Sequence, residues 1–63
     1  MNRPFTLIRW DRGDAKIVCK PYVSEIAVIR KATDEIMWES TERVTVIDKR
    51  TGETIFNEPG TFA

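Results

Sequence analysis

With one cysteine and no histidine, a chain of 63 residues has almost nothing with which to staple itself. Cys19 cannot close an intrachain disulfide alone, and a structural zinc site wants four Cys or His ligands. A domain this short buries only ~60% of the surface its unfolded chain exposes. Its apolar residues must offset roughly 1.5 kcal/mol of conformational entropy per ordered residue. The sequence therefore reads as a single domain over residues 1–63 with no cofactor, drawing extra stability from a partner, most simply as a homodimer.

Two hairpins are legible. Phe5-Thr6-Leu7-Ile8-Arg9-Trp10 and Lys16-Ile17-Val18-Cys19-Lys20 favour strands and flank Asp11-Arg12-Gly13-Asp14, where glycine supplies a tight turn. Val44-Thr45-Val46-Ile47 and Thr54-Ile55-Phe56 flank a polar loop that ends near Gly52. Glu58-Pro59-Gly60 is expected to stop the last strand and leave residues 58–63 as a fraying tail.

Between the hairpins, Ser24 can cap a helix running from Glu25 to about Glu39. Ile26, Val28, Ile29, Ala32, Ile36 and Met37 fall within half of its wheel, and Arg30–Asp34 and Lys31–Glu35 are opposite charges at i,i+4. The competing readings are a strand through Ile26-Ala27-Val28-Ile29 followed by a shorter helix, and an all-β meander. The preferred fold class is α+β: a small β-β-α-β-β domain with an antiparallel four-stranded sheet. One helix packs on a face, against Leu7, Ile17, Val46 and Ile55.

If Gly13 forms a bulge after the turn, Phe5, Leu7, Ala15, Ile17 and Cys19 share one face. Thr6, Ile8, Trp10, Lys16, Val18 and Lys20 then share the other, a mixture of apolar and basic residues suited to a contact surface. Net charge is zero, yet residues 1–31 carry seven basic against three acidic groups and residues 32–63 the reverse. Such asymmetry hints at a charged interaction surface, unless the fold interleaves the halves.

Catalysis is poorly supplied. Histidine, the commonest general base near neutrality, is missing, and Asp34, Glu35, Glu39 and Glu42 read as a solvated helix face. Gly13, Gly52 and Gly60 are isolated and build no phosphate loop. Arg12-Gly13-Asp14 spells an adhesion tripeptide, but a turn needs those residues anyway. Cys19 reads as a buried small hydrophobe, and one free cysteine suits a reducing cytoplasm. No apolar run approaches the ~18 residues of a membrane span.

Binding remains, and the expected role is a non-catalytic protein-binding module, an inhibitor or regulator of a larger protein. Trp10 and Trp38 are costly to expose and typical of contact hot spots, and an edge strand invites pairing with another chain. The alternative is a small nucleic-acid-binding regulator that uses the basic, aromatic face of the first hairpin. Arg9, Trp10, Lys16, Lys20 and Tyr22 would contact the strand. Against it stands the equal number of acidic residues.

Overall fold

The computed structural model of the chain describes residues 3–13, 15–18 (backbone only) and 21–62. It is a small α+β domain: one helix lies against an antiparallel sheet. Three long strands form the body of that sheet, β1 (Phe5–Asp11), β3 (Thr41–Asp48) and β4 (Glu53–Pro59). Of the four expected strands, the remaining one is a short segment, β2 (Ala15–Val18), paired to β1 on the outer side. The order across the sheet is β2-β1-β3-β4. β1 lies centrally because the helix, α1 (Glu25–Glu35), carries the chain over the sheet and returns it beside β1 rather than β2.

The register divides the residues between two faces, since side chains alternate along a strand and directly paired residues share a side. Phe5 lies opposite Asp48, Leu7 opposite Val46 and Arg9 opposite Val44. That face receives α1. Leu7, Val44 and Val46 are fully buried there beneath Val28 and Ala32, with Phe5 nearly so. Each such side chain contributes about 1.5–3 kcal/mol relative to exposure. Tyr22, Ile29, Ile36, Ile55 and Phe56 pack around this core. Of the residues expected beneath the helix, Leu7 and Val46 are central and Ile55 peripheral. Ile17 lies opposite Arg9 in the register. Cys19 and Lys20 lie outside the described residues.

Ser24 caps α1 as its sequence position suggests. It is extended (φ −102°, ψ 132°), and its Oγ accepts from the Ala27 amide at 3.3 Å. The helix, however, stops at Glu35 and not near Glu39. Its last carbonyls find partners beyond the helix: the buried Thr41 hydroxyl donates to the Glu35 carbonyl at 2.8 Å, and the Thr61 amide to that of Ile36 at 2.7 Å. The buried stripe is accordingly Val28, Ala32 and Glu35, with Ile29 and Ile36 at its margins. Met37 lies past the helix, and Ile26, some 200° around the wheel from Val28, faces away from the sheet. Both are exposed.

Two glycines leave turns at positive φ, Gly13 at 86° and Gly52 at 74°. In the second turn the Asp48 side chain accepts from the Arg50 backbone at 3.0 Å and from its guanidinium at 2.9 Å, while that guanidinium lies over the Phe5 ring. The C-terminal residues, read from sequence as a fraying tail, are tied down through Phe62. The Gly60 amide donates to the Glu42 carbonyl at 2.8 Å, and Arg12 Nη2 to the Phe62 carbonyl at 2.9 Å. Gly60 is buried, and a Cβ there would collide with the Thr41 carbonyl. Among the described residues, no helix is long and apolar enough to cross a membrane.

Candidate binding surfaces

The face of the sheet away from α1 has no element of the described chain upon it. Three cross-strand rows compose it. Lys16, Trp10, Arg43 and Pro59 form the first, Val18, Ile8, Thr45 and Asn57 the second, and Thr6, Ile47 and Thr54 the third. Thr6, Ile8, Trp10, Thr45 and Ile47 are half-buried and Arg43 is exposed. The expected grouping of Thr6, Ile8, Trp10, Lys16 and Val18 is thus present in the backbone register, with residues of β3 and β4 added to it.

No carboxylate stands in these rows. Asp11, Asp48, Glu53 and Glu58 all occupy rows of the opposite face, and Glu25, Asp34 and Glu35 belong to α1. Glu39 precedes β3, and Glu42 is the extra residue of a bulge between the pairs Trp10–Arg43 and Asp11–Thr41. The fold interleaves the basic and acidic halves of the chain. Trp10 is left between Lys16 and Arg43 in one row. Arg43 Nη1 donates to the neutral Asn57 amide oxygen at 2.6 Å, its partner among the described residues.

Other candidates are drawn elsewhere. Arg9 lies beside Trp10 in sequence and therefore on the opposite face. Its Nη1 donates to Glu35 Oε2 at 2.8 Å, its Nη2 to Asp11 Oδ2 at 3.2 Å, and its Nε lies 2.8 Å from Asp11 Oδ1. Lys31 Nζ completes the cluster, 3.0 Å from Glu35 Oε1. Burial pushes the Glu35 carboxyl up, but hydrogen bonds from Arg9 and Lys31 outweigh it and hold the group below its ordinary range. Arg9 acts here as a strut between helix and sheet. Tyr22 is also structural, exchanging backbone hydrogen bonds with Phe5 at 2.8 and 3.2 Å and packing on the core.

Trp38 stands in the turn after α1 and is 56% exposed. Met37, at 62%, precedes it, and Phe62, at 58%, belongs to the tail pinned to the same turn through Thr61 and Ile36. Sequence reasoning singled out Trp38 but not Phe62, which only the tail's hydrogen bonds bring to this end of the molecule. It also missed Arg43, although the alternation Arg43-Val44-Thr45-Val46-Ile47 places Arg43 on the side opposite the buried valines. A shallow depression of about 460 Å³ runs beside Glu25, Ile26, Ile29, Arg30 and Thr33, all on α1. Its described lining is a single helix, which does not surround a small substrate.

No protein-family model, curated protein or solved structure matches this chain.

Proposed function

We propose that the chain is a non-catalytic protein-binding module that engages its partner through the apolar end formed by Met37, Trp38 and Phe62. The observation that carries this reading is the combination of exposed side chains with a fixed backbone. All three side chains are more than half exposed. Their backbones are nevertheless held: the Trp38 amide donates to the Glu35 carbonyl at 3.2 Å, and the Trp38 carbonyl accepts from the Thr41 amide at 3.1 Å. The Phe62 carbonyl is held by Arg12. Large apolar groups presented on an ordered backbone lose little entropy on docking, and tryptophan is prominent among contact hot spots.

The reading disfavours docking by strand addition. β4 is an edge strand, but it carries a bulge at Ile55, charges at Glu53 and Glu58, and Pro59 at its end. These are the features that blunt an edge against pairing. An exposed apolar end is self-complementary across a two-fold axis, so a second copy is the first partner to test. A module of this size would act by occluding a site, as an inhibitor or regulator of a larger protein.

Sedimentation equilibrium of the purified chain, with capture from nuclease-treated host lysate, tests this. We expect self-association or nuclease-resistant capture of a discrete protein, lost in Trp38→Ala and retained in Arg43→Glu. A monomer that captures nothing, or capture indifferent to Trp38→Ala, would overturn the reading.

A further inference from the structure

We propose that the chain forms a parallel homodimer through the outward face of α1, with Ile26 and Ile29 as its apolar seam and Glu25 of each copy paired with Arg30 of the other. At about 100° per residue, Glu25, Ile29, Thr33, Ile26 and Arg30 follow one another around the helix in that order. Their face is centred roughly 120° from the buried stripe of Val28, Ala32 and Glu35. Ile26, 74% exposed, is the most exposed large apolar side chain among the described residues, and Ile29 is half-buried beside it. The same five residues line the shallow depression of about 460 Å³, a groove with one wall that a second helix would complete. Thr33 fits such a seam because its hydroxyl already donates to the Ile29 carbonyl at 2.9 Å, leaving no orphaned donor.

The charges at the rim select the occupant. Lys31 and Glu35, four residues apart, pair at 3.0 Å, but Arg30 and Asp34 at the same spacing do not. Among the described residues neither Arg30 nor Glu25 belongs to any ion pair. In a heptad, Ile26 and Thr33 occupy a, Ile29 d, Glu25 g and Arg30 e. When two copies lie parallel about a two-fold axis, the g flank of each faces the e flank of the other, five residues on. Glu25 then meets Arg30 twice. In an antiparallel pair each flank would face its own copy, like charge against like. A foreign helix would need the same order of charges around an apolar seam, whereas a second copy carries it automatically. Two neutral chains also meet without net repulsion. The 11 residues of α1 span only about 16 Å, so the contact is small and the dimer reversible, with Kd on the order of 100 µM. It uses none of Met37, Trp38 and Phe62, and so goes beyond the docking reading and stands apart from it.

Sedimentation equilibrium of the full chain, from about 10 µM to about 1 mM, tests this together with melting curves over the same range. We expect a monomer–dimer equilibrium and a melting temperature that rises with chain concentration. Arg30→Glu and Glu25→Arg each set like charges together at two symmetry-related places, and each should weaken the dimer roughly 10-fold or more. Mixed in equal amounts, the two variants again oppose unlike charges at both contacts, and a heterodimer should form with the parent's affinity. A variant that had merely misfolded would give no such rescue. Ile26→Ser acts at an exposed position, and should abolish the dimer without lowering the melting temperature of the dilute monomer. Trp38→Ala should dimerise as the parent does while losing partner capture, and Arg30→Glu should keep that capture, so either proposal can fail without the other. A chain that stays monomeric throughout would overturn the proposal. So would association lost in Trp38→Ala but kept in Arg30→Glu, or two charge variants that fail to rescue each other on mixing.

Discussion

Glu35 is the residue on which helix and sheet depend most specifically. Its carboxylate is nearly buried and accepts from Arg9 of β1 while pairing with Lys31 one turn earlier on α1. Removing one partner of a largely buried pair leaves the other charge poorly solvated, which is the costly half of the arrangement. Glu35→Gln should destabilise the fold at neutral pH by about 1–2 kcal/mol, allowing for the partial exposure of Arg9 and Lys31. The carboxyl is held below its ordinary value of 4.5, so the folded chain binds fewer protons than the unfolded one. The stabilisation is complete above about 4.5 and fades as the pH falls through the folded value. Urea titrations from pH 7 to pH 3 should show the parent and Glu35→Gln converging in acid. A gap that stays constant across that range would show that shape, not charge, sets the cost. Arg9 looked like a surface cation because its partner lies 26 residues away in the chain. Nothing local to β1 could disclose Glu35.

At the scale of elements, the two ends of α1 are specified in different ways. The N-terminus is written locally: Ser24 accepts from the Ala27 amide three residues on, and Ser24→Ala should cost about 1 kcal/mol in denaturant midpoint analysis. The C-terminus is written by contacts from Thr41 and Thr61, which lie in the next strand and in the tail. This is why helical periodicity carried the expectation on to Glu39 when the helix ends at Glu35. Gly60 is the position that lets the tail reach the helix end, because a Cβ would meet the Thr41 carbonyl. Gly60→Ala should destabilise the domain by about 1–3 kcal/mol. It should also weaken any contact made by Phe62, by freeing the tail that presents it. A stable Gly60→Ala domain with unchanged partner affinity would show that the tail's placement does not matter to binding.

For the whole molecule, the core is a single layer between helix and sheet, so its few fully buried residues each carry a large share of the stability. Leu7→Ala should cost about 2–5 kcal/mol and, in a domain of 63 residues, bring it near unfolding at room temperature. Calorimetry measures this directly. That thin core also leaves Met37, Trp38 and Phe62 exposed at one end of the described residues, where the proposed docking surface lies.

The elements of this protein are written locally: two hairpins around Gly13 and Gly52, a helix opened by Ser24, and apolar alternation that buried Leu7, Val44 and Val46. Those signals are short-range, because a turn, a cap and a strand face are each decided within a few residues. Tertiary structure decided which residues meet. Pairing β1 with β3 set Arg43 beside Trp10 and turned Arg9 toward Glu35. Docking the tail against the helix end tied Thr61, beside Phe62, to Ile36, beside Met37. Such placements follow from strand order and from contacts between residues far apart in the chain, and local propensity carries no information about either.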